Sequence, residues 1–189
     1  GLLDVCKANT EYTLRKNEPD QGIHIKLKKL KKDLNLPEDI DLIESYDISH
    51  HGGEHAVAGC VVYSTNGRAS NLYRSYNISK SNCGNDIASM LELIERRFMH
   101  KEQSKLPNLI IIDGGRTHLN SVVRKFKELN FPDVNVISIS KGVRRKSSFD
   151  TIHLSNGNSW PINASSSAHA LIQEIRDETH RFAISNQKN

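Results

Sequence analysis

The chain has 189 residues with 26 Lys+Arg, 22 Asp+Glu and a formal net charge of +4, which is room for one domain with an appendage. No apolar run approaches the ~20 residues that span a bilayer, and no basic stretch leads into an apolar run, so neither a membrane protein nor a signal peptide is expected. The three cysteines, Cys6, Cys60 and Cys83, lack metal-binding spacing and fit no disulfide framework, which points to a reducing, cytoplasmic setting.

Leu2, Val5 and Cys6 predict a helix over 2–16, ended by Pro19. Ile23, Leu27, Leu30 and Leu34 predict a second over 22–36, stopped by Pro37; its lysines (Lys26, Lys28, Lys29, Lys31, Lys32) read as a solvated face, with a nucleic-acid contact as the alternative. The pattern then changes. Residues 41–49 and 55–63 are short and β-rich, with a Gly-Gly turn between them, and Asn66-Gly67 is a strong hairpin signal before a third strand over 70–78. Helices alternate with strands from there. Ile87, Met90, Leu91, Ile94 and Phe98 mark a helix over about 85–99, and residues 108–112 form an all-apolar run, as in a buried parallel strand. Leu119, Val122, Val123, Phe126 and Leu129 mark the next helix, and 134–140 another strand. A Ser/Lys/Arg-rich loop (140–148), a hairpin (149–162) and a last helix from near Ser165 complete the chain. A meander followed by crossovers is a mixed α/β sheet. The expected division is a helical appendage over 1–38 and an α/β domain over 39–189.

Asp113 ends the apolar strand and precedes Gly114-Gly115, the position where ligands bind in open α/β sheets, and equally one where an Asp caps the following helix. Asp47 lies late in the first strand, where a carboxylate among apolar residues needs a partner. If the strand ending at Asp113 lies beside the first, their axes are about 4.8 Å apart. Two carboxylates that close call for a cation or a shared proton, and a hard ion such as Mg²⁺ or Mn²⁺ suits oxygen ligands. The residues alone leave open which edge that strand joins. By residue type, His180 reads as a surface histidine, and Asp86 as an acid in the first turn of its helix. His51, Glu54 and His55 match the H-x-x-E-H pattern of some zinc peptidases, but that chemistry needs a helix, and Gly52-Gly53 predict a turn.

YDISH (46–50), GNDIASM (84–90), LIIIDGG (109–115), SKG (140–142) and IRDETHRFAI (175–184), with LLDVCKANTEYTL leading in, occur in a distinctive order and spacing. Together they resemble the C-terminal nuclease region of the UvrC family, the incision subunits of bacterial nucleotide excision repair. The resemblance implies a ribonuclease H-like mixed sheet flanked by helices, a three-strand antiparallel meander plus parallel strands, with the fourth strand beside the first. It implies a metal site of Asp47, Asp113 and His180 holding Mg²⁺ or Mn²⁺, with Asp86 a further acid linked to incision and Lys141 a strand-end lysine. The implied activity is the 5′ incision of lesion-bearing double-stranded DNA. Arg116, Lys141, Arg144, Arg145 and Arg181 are the expected phosphate contacts. His51 and His118 depart from the family pattern, which has Thr and Gln there. Family members also carry a second nuclease, a UvrB-binding segment and helix-hairpin-helix motifs. None is seen in these 189 residues, so a fragment or reduced relative is expected. A non-catalytic DNA-binding or docking module of the same fold is the alternative.

Overall fold

A computed structural model describes residues 22–51, 55–99, 105–142, 150–161 and 166–186. The helix expected over 2–16 lies outside them. Helix α1 covers 22–34 and ends where Asn35 takes a left-handed conformation. The strands are β1 (Leu42–His51), β2 (His55–Ser64), β3 (Gly67–Arg68), β4 (Arg74–Asn77), β5 (Leu109–Asp113), β6 (Asn135–Ser140), β7 (Thr151–Leu154) and β8 (Ser159–Pro161). The other helices are α2 (Asp86–Met99), α3 (Arg116–Glu128) and α4 (Ser167–Ser185), the last capped by the Ser166 hydroxyl accepting from Ala168 N. Among the described residues, no helix is long and apolar enough to cross a membrane.

The sheet order is β3-β2-β1-β5-β6-β7-β8, with β4 also on β2. β1 and β2 are antiparallel, whereas β1–β5 and β5–β6 are parallel. β5, the strand expected as the fourth, thus lies beside β1, as the resemblance implied. The third strand, expected to be continuous over 70–78, is divided. Ser70–Leu72 form a 3-10 turn closed by Leu72 N–H to Ala69 O and Tyr73 N–H to Ser70 O. Ser and Asn favour such local bonding over a ladder, so pairing resumes only at Arg74. His51 and His55 are cross-strand partners in a hairpin rather than neighbours on successive turns of a helix; Glu54 lies outside the described residues.

Both sheet faces are covered, in keeping with the apolar run Leu109–Ile112 of β5. Leu109 and Ile111 face α1 and α4, packing with Leu27, Leu30, Leu34, Leu171 and Ile175. Ile110 and Ile112 face α2 and α3, packing with Leu93, Phe98, Leu119 and Val122. The alternation of strand side chains then assigns every later residue to a face.

One charged pair is sealed into the α2 side. Glu44 of β1 and Arg97 of α2 are 1% and 3% exposed, with Nη2–Oε1 at 2.6 Å and Nε–Oε2 at 2.9 Å. Tyr46 also donates its hydroxyl to Glu44 at 2.5 Å, and Arg97 Nη2 donates to Lys105 O. Removing one partner of such a pair strands a dehydrated charge. Glu44→Gln should therefore cost about 3–5 kcal/mol, read as a lower urea midpoint without a change in slope; a shift under about 1 kcal/mol would contradict the pairing.

Candidate active site

The register puts the two aspartates side by side. The last paired residues of β1 and β5 are Tyr46 and Ile112, and Asp47 and Asp113 each follow by one. By parity both turn to the face covered by α4. The helix can come close because Gly59, the β2 partner of Asp47, carries no side chain. A Cβ there would stand 3.1 Å from both Cα and Cβ of Ala183, so a methyl would push α4 outward. Across the β2 edge, Tyr63 and Tyr73 donate to Glu174 and Glu178 at 3.2 Å, holding the helix on the sheet.

His180 thereby reaches Asp47, its Nδ1 2.8 Å from Oδ2. The imidazole is 61% exposed, while the Asp47 side chain is only 13% exposed. Burial pushes the Asp47 carboxyl above its ordinary range. The bond from His180 pulls it back, and the negative charge of Asp113 pushes it up. Asp113 is flanked by two cations: Lys141 Nζ is 3.5 Å from Oδ2 and Arg176 Nη2 is 3.5 Å from Oδ1. A cleft of about 220 Å³ lies between these groups, reaching Asp150 and Gln173. A second depression of about 340 Å³ opens on the other side of Asp113 and His180, edged by Asp86 and His118. The close packing of His118 depends on Gly114, where φ is +144° and a Cβ would stand only 2.6 Å from His118 Cγ, so a side chain is excluded.

Asp86 is exposed and bonded to His50, its Oδ1 2.6 Å from Nε2, at the rim rather than beside the two aspartates. Of the expected phosphate contacts, Lys141 stands at the site. Arg116 instead donates to Asn158 O at 2.9 Å and to the Ser159 hydroxyl, pinning the β7–β8 turn. Arg181 bonds Glu178 at 2.7 and 2.8 Å, which holds that carboxyl below its ordinary range. Arg144 and Arg145 lie outside the described residues.

Sequence reasoning missed Arg176, Asp150 and Gln173. Arg176 was readable in principle, since it precedes His180 by four residues and so shares its helix face. Asp150 carried no such signal, because its partners come from distant elements.

Among the described residues, no three His, Cys, Asp or Glu side chains converge as a ready metal cage; Asp47 is turned to His180, and Asp113 to its two cations. The donor chemistry does fit a divalent ion. Two crowded carboxylates, one of them raised by burial and by its neighbour, gain from a cation between them, and an imidazole is an acceptable third ligand.

A family model for the UvrC RNase H endonuclease domain matches residues 31–184. The chain is 39% identical over 188 residues to UvrABC system protein C of Saccharophagus degradans, covering 98% of this chain and 30% of that protein. It is 38% identical over 171 residues to the protein of the same name from Pseudomonas fluorescens, covering 89% and 28%. The chain thus spans about a third of the length of these relatives. Among solved structures, Ciona intestinalis Endonuclease V in complex with an inosine-containing DNA is similar with a TM-score of 0.40 at 17% identity, over 71% of this chain and 59% of that one. Marinitoga piezophila Argonaute gives 0.40 at 10% identity, over 80% and 27%. With the family model matched across the sheet and its helices, and with Asp47, Asp113 and His180 gathered on one face, the chain belongs to the UvrC RNase H endonuclease domain family.

Proposed function

We propose that this chain is the catalytic part of a divalent-metal-dependent DNA endonuclease that makes the 5′ incision in a damaged strand during nucleotide excision repair in the cytoplasm. The observation that carries the reading is the meeting of Asp47, Asp113 and His180 at the carboxyl ends of two parallel central strands, above an open cleft edged by Lys141. A bound Mg²⁺ or Mn²⁺ would supply Lewis-acid charge to the phosphodiester. Asp47 and Asp113 would hold that ion, with His180 as third ligand or proton handler. Lys141 draws the backbone phosphate toward Asp113, and Asp86 shapes the rim. Residues 39–189 form the nuclease body. Residues 1–38 are the appendage that leads into it; of these, α1 packs on the sheet through Leu27, Leu30 and Leu34. The substrate is lesion-bearing duplex DNA, and UvrB is the partner of the full-length protein, engaged outside these residues.

The test is strand cleavage on ultraviolet-treated supercoiled plasmid. Open circles should accumulate with Mn²⁺ or Mg²⁺ and not with EDTA, and an end-labelled duplex should map the cut to the 5′ side of the lesion. Tight plasmid binding by folded protein without any cut, with either ion, would replace this reading by that of a docking module.

A further inference from the structure

Asp150 is the most deeply buried carboxylate near the cleft, with its side chain 3% exposed. Its Oδ1 accepts from Gly142 N at 3.1 Å, and its Oδ2 accepts from Gln173 Nε2 at 3.3 Å and from Arg176 Nη1. Three donors from the end of β6 and from two turns of α4 thus converge on one dehydrated group. Stability alone is a poor reason for such an arrangement, since apolar packing of the same volume usually does as well. The arrangement does fix a direction. With one edge of the Arg176 guanidinium on Asp150, the other edge faces Asp113 and the cleft.

The gap on that second edge is informative. Nη2 lies 3.5 Å from Asp113 Oδ1, well outside the ~2.7–2.9 Å of a closed charge-assisted bond. The N–H groups there are oriented but not consumed. Asp150 also fixes Gly142, next in sequence to Lys141, whose Nζ stands 3.5 Å from the other oxygen of Asp113. One buried carboxylate therefore places two cations, one on each side of Asp113.

We propose that Arg176 contacts a phosphate oxygen of the DNA strand at this site and that Asp150 is its positioning residue; the proposal rests on the nuclease reading above. The planar guanidinium suits the task because it can hold Asp150 with one edge and a phosphate with the other in fixed directions, whereas a compact ammonium has neither that span nor that fixed geometry.

The test pairs melting with Mn²⁺-dependent nicking of plasmid. Arg176→Ala should melt early, because Asp150 is left buried and unpaired, and should nick slowly. Adding Asp150→Asn removes the stranded charge, so the double variant should regain its melt while kcat stays about 10²-fold down. If nicking returns with the melt, the pair is structural only and the proposal falls. Arg176→Lys keeps a charge for Asp150 and folds, yet should also lose about tenfold in kcat for want of its second edge; a wild-type rate overturns the proposal too. A readout without turnover uses the uncut complex formed by Asp113→Asn. There, adding Arg176→Ala with Asp150→Asn should lower the log–log salt slope of duplex binding by about 0.9, the value for one phosphate contact; an unchanged slope counts against the contact. Failure of the underlying reading looks different: Asp113→Asn would itself nick at the wild-type rate.

Discussion

Asp113→Asn should reduce Mn²⁺-dependent incision by about 10³-fold or more, the several kcal/mol of transition-state stabilisation that a catalytic cation supplies. Duplex affinity should hold or rise slightly. Affinity comes from Lys and Arg on phosphates, and the change releases Lys141 and Arg176 from the carboxylate they flank. The fold should barely respond. Two loose ion pairs are lost, but so is the repulsion that Asp113 exerts on Asp47, and Arg176 keeps Asp150. The net change in stability should stay within about 1 kcal/mol. Gel-resolved nicking, a binding isotherm and a melt on the same preparation give all three values. Incision at more than a tenth of the wild-type rate would remove Asp113 from the chemistry.

His180→Ala should be nearly as damaging to incision and should carry a pH signature in stability. The imidazole is largely exposed, so no core volume is lost. What is lost is its bond to Asp47, which offsets the burial that raises that carboxyl. An acid with a raised folded pKa favours the native state when protonated, and that advantage disappears as pH rises from its unfolded to its folded value. Without His180 the folded value climbs further, so more stability disappears over a wider window above the ordinary 3.8. The alanine variant should therefore melt with the wild type in acid, where Asp47 is protonated in both. Toward neutral pH it should fall behind by about 1–2 kcal/mol. Near-normal nicking, or a melting difference that does not change with pH, would make His180 an ordinary surface histidine and leave Asp86 the next candidate partner.

Much of this arrangement was legible from the residues. The run Leu109–Ile112 announced a strand buried on both faces, and Asp113 with two glycines marked its carboxyl end as a candidate site. The stripe of Leu171 and Ile175 located α4. The adjacency of β5 and β1 was not legible from local pattern, because either sheet edge would bury the same apolar run; only the resemblance supplied it. Arg116 shows a second limit. Its charge suggested phosphate, but the β7–β8 turn offers it carbonyl and hydroxyl acceptors about forty residues away, and no local pattern foretells that contact. The broken third strand is a third case, since Ser70 and Asn71 suit a strand poorly and a tight turn well.

The sealed pair of Glu44 and Arg97 has a bearing on how such chains can diverge. The two positions are 53 residues apart in sequence, yet changing either alone should be costly, even with Arg74 Nη1 also standing 3.8 Å from Glu44 Oε1. An ordinary domain holds only about 5–15 kcal/mol of stability in all, so a lineage that alters one position first must cross a poorly folding ancestor before the second can follow. A fully apolar replacement at both positions could be just as stable and still be hard to reach by single steps. The two residues should therefore change together among relatives, and a relative that alters one of them alone, with its stability intact, would contradict this.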